Sequence, residues 1–293
     1  MYAVPKPPFA ILIFIFFALP AAASELAENP PETAVASSIN SSFTMGSDKY
    51  SDESLSATVG IGACGGLEIF SSTTRLNGNV VARDIGLAPI WQINVNHELK
   101  LELAVGGQDD GVTSRTGGIA YSANTGSLFS SFFNTGELRS DVTLQLASTV
   151  YTIDTVQISP KESRGSLSLN QELSEKWNVG FSVIRASYTD QAIQSFRRYA
   201  DHQGISEFLS AYEAGPLEQA SSVFGEYQLN TKYTFKLEVI YYAPVAGTAK
   251  SSTTSISSHH NWNEHWSTGL KLSGTQTAGN SKGSVGLSLG YLF

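Results

Sequence analysis

Charge is scarce in this chain. Asp, Glu, Lys and Arg make up 15% of its 293 residues, where a soluble domain carries about a quarter. The acids outnumber the bases, 26 to 18, for a net charge of −8. That balance argues against a nucleic-acid partner, which needs clustered Lys and Arg to displace counterions. There is one cysteine, Cys64, so no intramolecular disulfide can form. Its distance from the N-terminus also argues against a lipid-modified N-terminal cysteine. Long apolar runs are missing too. The one near the start, Phe9 to Leu19, is about eleven residues, too short to span a bilayer comfortably as a helix. No later stretch reaches that threshold, which excludes helical membrane spans.

The apolar run at the start has a different meaning. Lys6 precedes it, Pro20 ends it, and Ala21-Ala22-Ala23 follows. A positive residue, an apolar core and a small-residue cleavage site predict a secretory signal peptide over residues 1–23, cut after Ala23. A periplasmic tail over 24–38 and one domain over 39–293 are expected to follow.

What the chain has in quantity is glycine (26 residues), serine and aromatics (11%), and it arranges them in alternation. In "HELKLELAV", Leu99, Leu101, Leu103 and Val105 face one way and Glu98, Lys100 and Glu102 the other. "KYTFKLEVIY", "KWNVGFSV", "RGSLSLNQEL", "HWSTGLKLSG" and "SLSATVGIGA" repeat the pattern. A period of two over so many segments predicts antiparallel sheet with one apolar and one polar face. Counting segments predicts about fourteen strands, within a range of about 12 to 16. An even number lets the first and last strands pair and close the sheet, which hydrocarbon requires because an open edge leaves backbone groups unpaired. Two stretches are ambiguous. Residues 125–138 admit another strand, and 139–158 lose apolar parity after Leu146.

The turns "VNHEL", "LSEKW", "LNTKY" and "WNEHW" are short and polar, and three of them hand over to Trp177, Tyr233 or Trp266. With Trp262 and Tyr241 these are the expected interfacial girdle, because amphipathic rings settle at a membrane–water boundary. Tyr233 and Tyr241 stand about 26 Å apart along a strand, or about 20 Å in height once the strand tilts. That is near the height of an outer-membrane apolar band.

The chain ends "GSVGLSLGYLF", with Val285, Leu287, Leu289, Tyr291 and Phe293 at alternate positions. This strand resembles the C-terminal signature of Gram-negative outer-membrane β-barrels. The resemblance implies an all-β, transmembrane, antiparallel up-and-down barrel in the bacterial outer membrane. It implies partners in the barrel-assembly machinery, periplasmic chaperones and outer-membrane lipid. It names no solute and no oligomeric state. A secreted β-sandwich also alternates, but leaves the final Phe, the aromatics beside turns and the scarcity of charge unexplained.

The polar face predicts pore-lining residues: Glu98, Lys100, Glu102, Asn170, Glu172, Asn178, Glu226, Gln228, Lys236, Glu238 and Lys271. So many charges in a dry core are costly unless each is paired, and about fourteen strands can enclose water where eight are filled by side chains. A passive porin-like channel for small hydrophilic solutes is expected, with a mild cation preference from its surplus of acids. The alternatives are an accessory barrel for polymer export and a non-conducting structural or adhesive barrel. For export, the short tail before Ser38 cannot form a helical-repeat arm.

Residues 190–218 break the strand rhythm. They read as an extracellular loop with two short helices, from the shared faces of Ile193, Phe196 and Ala200 and of Ile205, Phe208, Leu209 and Tyr212. Such a loop either packs on the rim or narrows the mouth. Three further motifs bear on chemistry. Gly60, Gly62 and Gly65 have a dinucleotide-loop spacing, but a strand follows where a helix is required, so a tight turn is expected. His259, His260, Glu264 and His265 crowd one hairpin, yet alternation sends His259 and His260 to opposite faces, so no metal site is expected. An outer-membrane hydrolase is a further alternative that would need a Ser–His pair, but no serine is singled out by a nucleophile motif, so neither enzyme nor cofactor is expected.

Overall fold

The computed structural model describes residues 35–47, 49–108, 112–126, 138–153, 159, 161–189, 217–244, 250–277 and 280–293. The described residues form a meander of fourteen strands that closes on itself. In order these are β1 (Ser38–Gly46), β2 (Ser51–Ile61), β3 (Gly65–Leu76), β4 (Asn79–Asn94), β5 (His97–Gln108), β6 (Val112–Gly126) and β7 (Arg139–Ile153). Then come β8 (Lys161–Glu172), β9 (Trp177–Tyr188), β10 (Leu217–Gln228), β11 (Tyr233–Pro244), β12 (Ser251–Asn261), β13 (Trp266–Thr277) and β14 (Asn280–Leu292). Every strand is antiparallel to its neighbours. The seam joins β1 to β14, with Phe43 opposite Leu287 and Ser38 opposite Leu292. Closure leaves no edge among these strands, which a sheet in hydrocarbon cannot tolerate.

The alternating residues decide which face is which. Leu103, Val105, Leu237, Leu272 and Leu287 are each more than half exposed, and Leu146 and Val223 reach 65%. The buried apolar residues are mostly small, such as Ala88, Ala186 and Ala220. A sandwich does the reverse, burying its large side chains between two sheets. So wide an apolar exterior is unstable against water and stable against lipid. The fold is therefore a transmembrane β-barrel.

Three turns at the end where β1 begins and β14 finishes share one device. Ser174 accepts from the Lys176 and Trp177 amides, Asn230 from those of Lys232 and Tyr233, and Asn263 from those of His265 and Trp266, all at 2.8–3.3 Å. Side-chain oxygens thus replace the ladder for the two amides that the chain reversal frees. At the opposite end Asn77 and Gly78 both have positive φ, 51° and 87°. They form the tight two-residue hairpin between β3 and β4 that matches strand twist.

Strand β7 is one strand, and its parity holds to the end of the described stretch. What looked like a slip after Leu146 is Tyr151 turned inward, where it donates to Glu162 at 2.6 Å. Of the two ambiguous stretches, 125–138 and 139–158, residues 125 and 126 end β6 and 139–153 form β7, while 127–137 and 154–158 fall outside the described residues. So do the signal peptide, the tail from 24 to 34, and the two helices expected within 190–216. Leu217 and Glu218, expected to close that loop, belong instead to β10. Gly60 is the last residue but one of β2 and Gly65 opens β3, and Gly62 turns between the two strands with φ 65°.

Candidate functional site in the barrel interior

The register places every expected lining residue on the face opposite the exposed leucines and valines. One hydrogen-bonded row runs from Glu172 through Asn178, Glu226, Lys236, Ser257 and Lys271 on β8 to β13. Glu98, Lys100 and Glu102 follow one another up β5, between Gln92, Ile90 and Ala88 of β4 and the inner face of β6. Asn170 and Gln228 also point inward.

Small hydroxyls make up much of the remaining wall. Ser42 and Ser54, Thr116 and Thr149, Ser122 and Thr143, Ser182 and Ser222, Thr253 and Thr275, and Ser273 and Ser284 lie directly opposite one another. Each pair is bonded at 2.7–3.0 Å. Cross-strand pairs of this kind pin register on a face dominated by small polar side chains. Two inward phenylalanines lie flat against glycine. A carbon added at Gly180 would come within 2.4 Å of the Phe224 ring, and one at Gly86 within 2.3 Å of Phe70. Replacing Gly180 with Val therefore forces Phe224 off the wall and is expected to cost about 1–3 kcal/mol in denaturant unfolding. Gly225→Val, with nothing within 4 Å of the added carbon, is expected to leave the midpoint unchanged.

The charges are only partly paired. Lys100 bridges to Glu68, and the Gln145 amide donates to Glu102 at 3.1 Å. Glu238 receives Lys236 at 3.2 Å, with Lys271 at 4.0 Å, and Lys236 also lies 4.2 Å from the centre of the Phe224 ring. Glu162, 1% exposed, holds Arg164 through Nε at 2.7 Å and Nη2 at 2.6 Å. Glu98 and Glu226 have no ion-pair partner among the described residues. The side-chain oxygens of Asn170 and Asn178 accept no bond from protein.

Sequence reasoning missed Asp84, Glu162, Arg164 and the tyrosines around them. Arg164 and Glu162 stand at i and i+2 on β8, on one face, a spacing that the alternation rule could have flagged.

The expected girdle residues sit as follows. Trp177, Tyr233 and Trp266 open their strands on the outer face at the rim with the termini, and Trp262 lies in the adjoining turn. Tyr241 faces outward near the opposite rim, beside Lys250. The histidines of the β12–β13 hairpin are parted. His259 faces inward toward Gly269, His260 stacks outside on Tyr233 with ring centres 4.3 Å apart, and His265 Nδ1 meets the Leu292 carbonyl at 2.8 Å.

No family model and no curated sequence matches the chain. Solved structures similar to it include a monoaromatic hydrocarbon channel, CymD, at 11% identity and TM-score 0.49, covering 92% of each chain. The KdgM porin in complex with disordered oligogalacturonate is similar at 9% identity and TM-score 0.42, over 87% of this chain and 99% of that one. An anion-selective porin from Comamonas acidovorans follows at 8% identity and TM-score 0.46, over 89% and 99%. The reading of this chain rests on its own two faces. A closed ladder, an apolar exterior and a charged interior make it a fourteen-stranded transmembrane β-barrel.

Proposed function

We propose that the chain is a passive outer-membrane channel for small hydrophilic solutes, with a mild preference for cations. The observation that carries this reading is a pair of inward, half-buried carboxylates that no protein group among the described residues pairs, Glu98 and Glu226. Left dry, each group would forfeit the free energy of its hydration. Water in the lumen supplies it, and a barrel of this strand number has room for water. The inward acids Asp52, Glu68, Asp84, Glu98, Glu102, Asp141, Glu162, Glu172, Glu226 and Glu238 outnumber the inward bases, and rings of carboxylates favour cations. Single-channel recording in planar bilayers tests the proposal. Discrete conductance steps are expected, with a reversal potential displaced toward the cation value, and Glu98→Gln with Glu226→Gln lowers that displacement. Absence of steps from heat-modifiable, folded protein, or anion selectivity, would overturn it.

A second reading, a non-conducting barrel, is favoured by one feature. Toward the rim opposite the termini the inner wall is closely covered: Glu162 is 1% exposed, and Tyr242 and Ser251 are 2%. A lumen packed at that level would carry no current, and the same recording separates the two.

A further inference from the structure

Two glycines meet on the inner wall close to the end where β1 begins. Gly60 is opposite Gly66 in the β2–β3 ladder, Gly66 is opposite Ile90, and Ile90 is opposite Lys100. Lys100 fixes this row as an inward one, and the exposed Ile61 and Ile69 of the other parity agree. A side chain on either glycine would therefore point into the barrel.

Val35 occupies the room that those side chains leave. A carbon added at Gly66 would come 2.7 Å from Val35 Cγ1 and 3.0 Å from its Cβ, and one at Gly60 would come 2.2 Å from the Val35 carbonyl oxygen. No residue larger than glycine fits at either position with Val35 in place. Val35 thus lies inside the barrel, against the wall that β2 and β3 form.

Ser37 holds the segment there. On the β14 side its carbonyl accepts from the Phe293 amide at 3.0 Å. On the β2 side it is Ser37 Oγ that takes the Gly60 amide, also at 3.0 Å. A side-chain acceptor at this point lets the backbone turn off the ladder without leaving that amide unsatisfied. The three residues before β1 are tied at one end to β2 and Phe293, and at the other to the glycine seat.

We propose that Val35–Ser37 form a strap inside the mouth of the barrel, seated on Gly60 and Gly66, that narrows the passage at this end and so limits the size of solute that crosses. The restriction rests on the lumen conducting; the seat does not.

The full-length double variant V35C/G66C in a Cys64→Ser background tests the seat. The two β-carbons, 3.0 Å apart, reach ordinary disulfide spacing by parting about 1 Å. Mild oxidation of the folded, heat-modifiable protein is expected to remove both free thiols, read as the loss of two maleimide adducts in the intact mass. V35C/S267C is the control. Ser267 is inward on β13, as many strands from β1 as Gly66 is but on the other side, and this pair is expected to keep both thiols. Retained thiols in V35C/G66C, or equal cross-linking of the two pairs, would overturn the seat.

Single-channel recording of V35C in the same background tests the restriction. A bulky maleimide attached at position 35 is expected to shift the conductance step down. The same reagent on E175C, in the turn between β8 and β9 at the same rim, is expected to leave the step in place. A step that modification at position 35 does not move would overturn the restriction. Absence of steps from every protein would overturn the channel reading and the restriction together, while the cross-link still decides the seat. V35C keeps both glycines, so the recording is decisive even if G66C does not fold.

Discussion

Arginine placed singly at Leu101, Leu237 or Leu287 is expected to destabilise the barrel by about 2–4 kcal/mol, the cost of a cation at the middle of a lipid-facing wall. All three are outward residues in the central part of their strands. Leu101 lies opposite Ile119, Leu237 opposite Ile256, and Leu287 opposite Phe43 and Leu270. Arginine at Phe235, close to the start of β11, is expected to cost about 0–1 kcal/mol because it reaches the interface. Ser168→Arg, on the inner face between Thr143 and Ser182, is expected to cost no more than that interfacial change. Denaturant unfolding from lipid vesicles measures all five. Equal costs at Leu101 and Ser168 would mean that the two faces meet the same solvent.

The second large effect belongs to Arg164. Its guanidinium binds one oxygen of the Glu162 carboxylate, while Tyr151 donates to the other at 2.6 Å. Tyr188, opposite Glu162 in the ladder, engages it as well. At 1% exposure that carboxylate has no recourse to water if its cation is removed. Arg164→Ala is therefore expected to cost about 3–5 kcal/mol, most of it the penalty of an unpaired buried charge. Removing the charge as well, in E162Q/R164M, is expected to recover most of that loss, since the amide still accepts from Tyr151. A double variant as unstable as Arg164→Ala alone would show that packing, and not charge, is what the guanidinium supplies.

The exterior and the strand count could be read from the sequence because one physical rule governs both. Side chains alternate across a strand, so a wall between lipid and water writes its two solvents into odd and even positions. Leu99, Leu101 and Leu103 against Glu98, Lys100 and Glu102 are such a record, and the register places them on opposite faces. Where a residue serves a partner and not a solvent, that record misleads. Tyr151 breaks the apolar rhythm of β7 because it turns in to Glu162. Arg83, Arg115 and Arg185 share parity with Ile85, Ile119 and Val183, so a rule that sorts polar from apolar sets them aside as noise. Their meaning lies in height as well as face, and height follows from the register of neighbouring strands, which no single segment contains. The pairing of interior charges was hidden for the same reason. Lys100 meets Glu68 from two strands away, and Phe224 finds room only because the facing residue on β9 is Gly180.

The central claim is that lipid touches one face of this sheet and water the other. Single cysteines at Leu101, Leu237 and Leu287, and at Glu98, Ser257 and Lys271, in a Cys64→Ser background test it directly once the protein is reconstituted in vesicles. A membrane-impermeant, water-soluble maleimide is expected to label the second group and spare the first, and a bilayer-dissolved thiol reagent to do the opposite. Rapid aqueous labelling at Leu101, Leu237 and Leu287 with protection at Glu98, Ser257 and Lys271 would contradict the account.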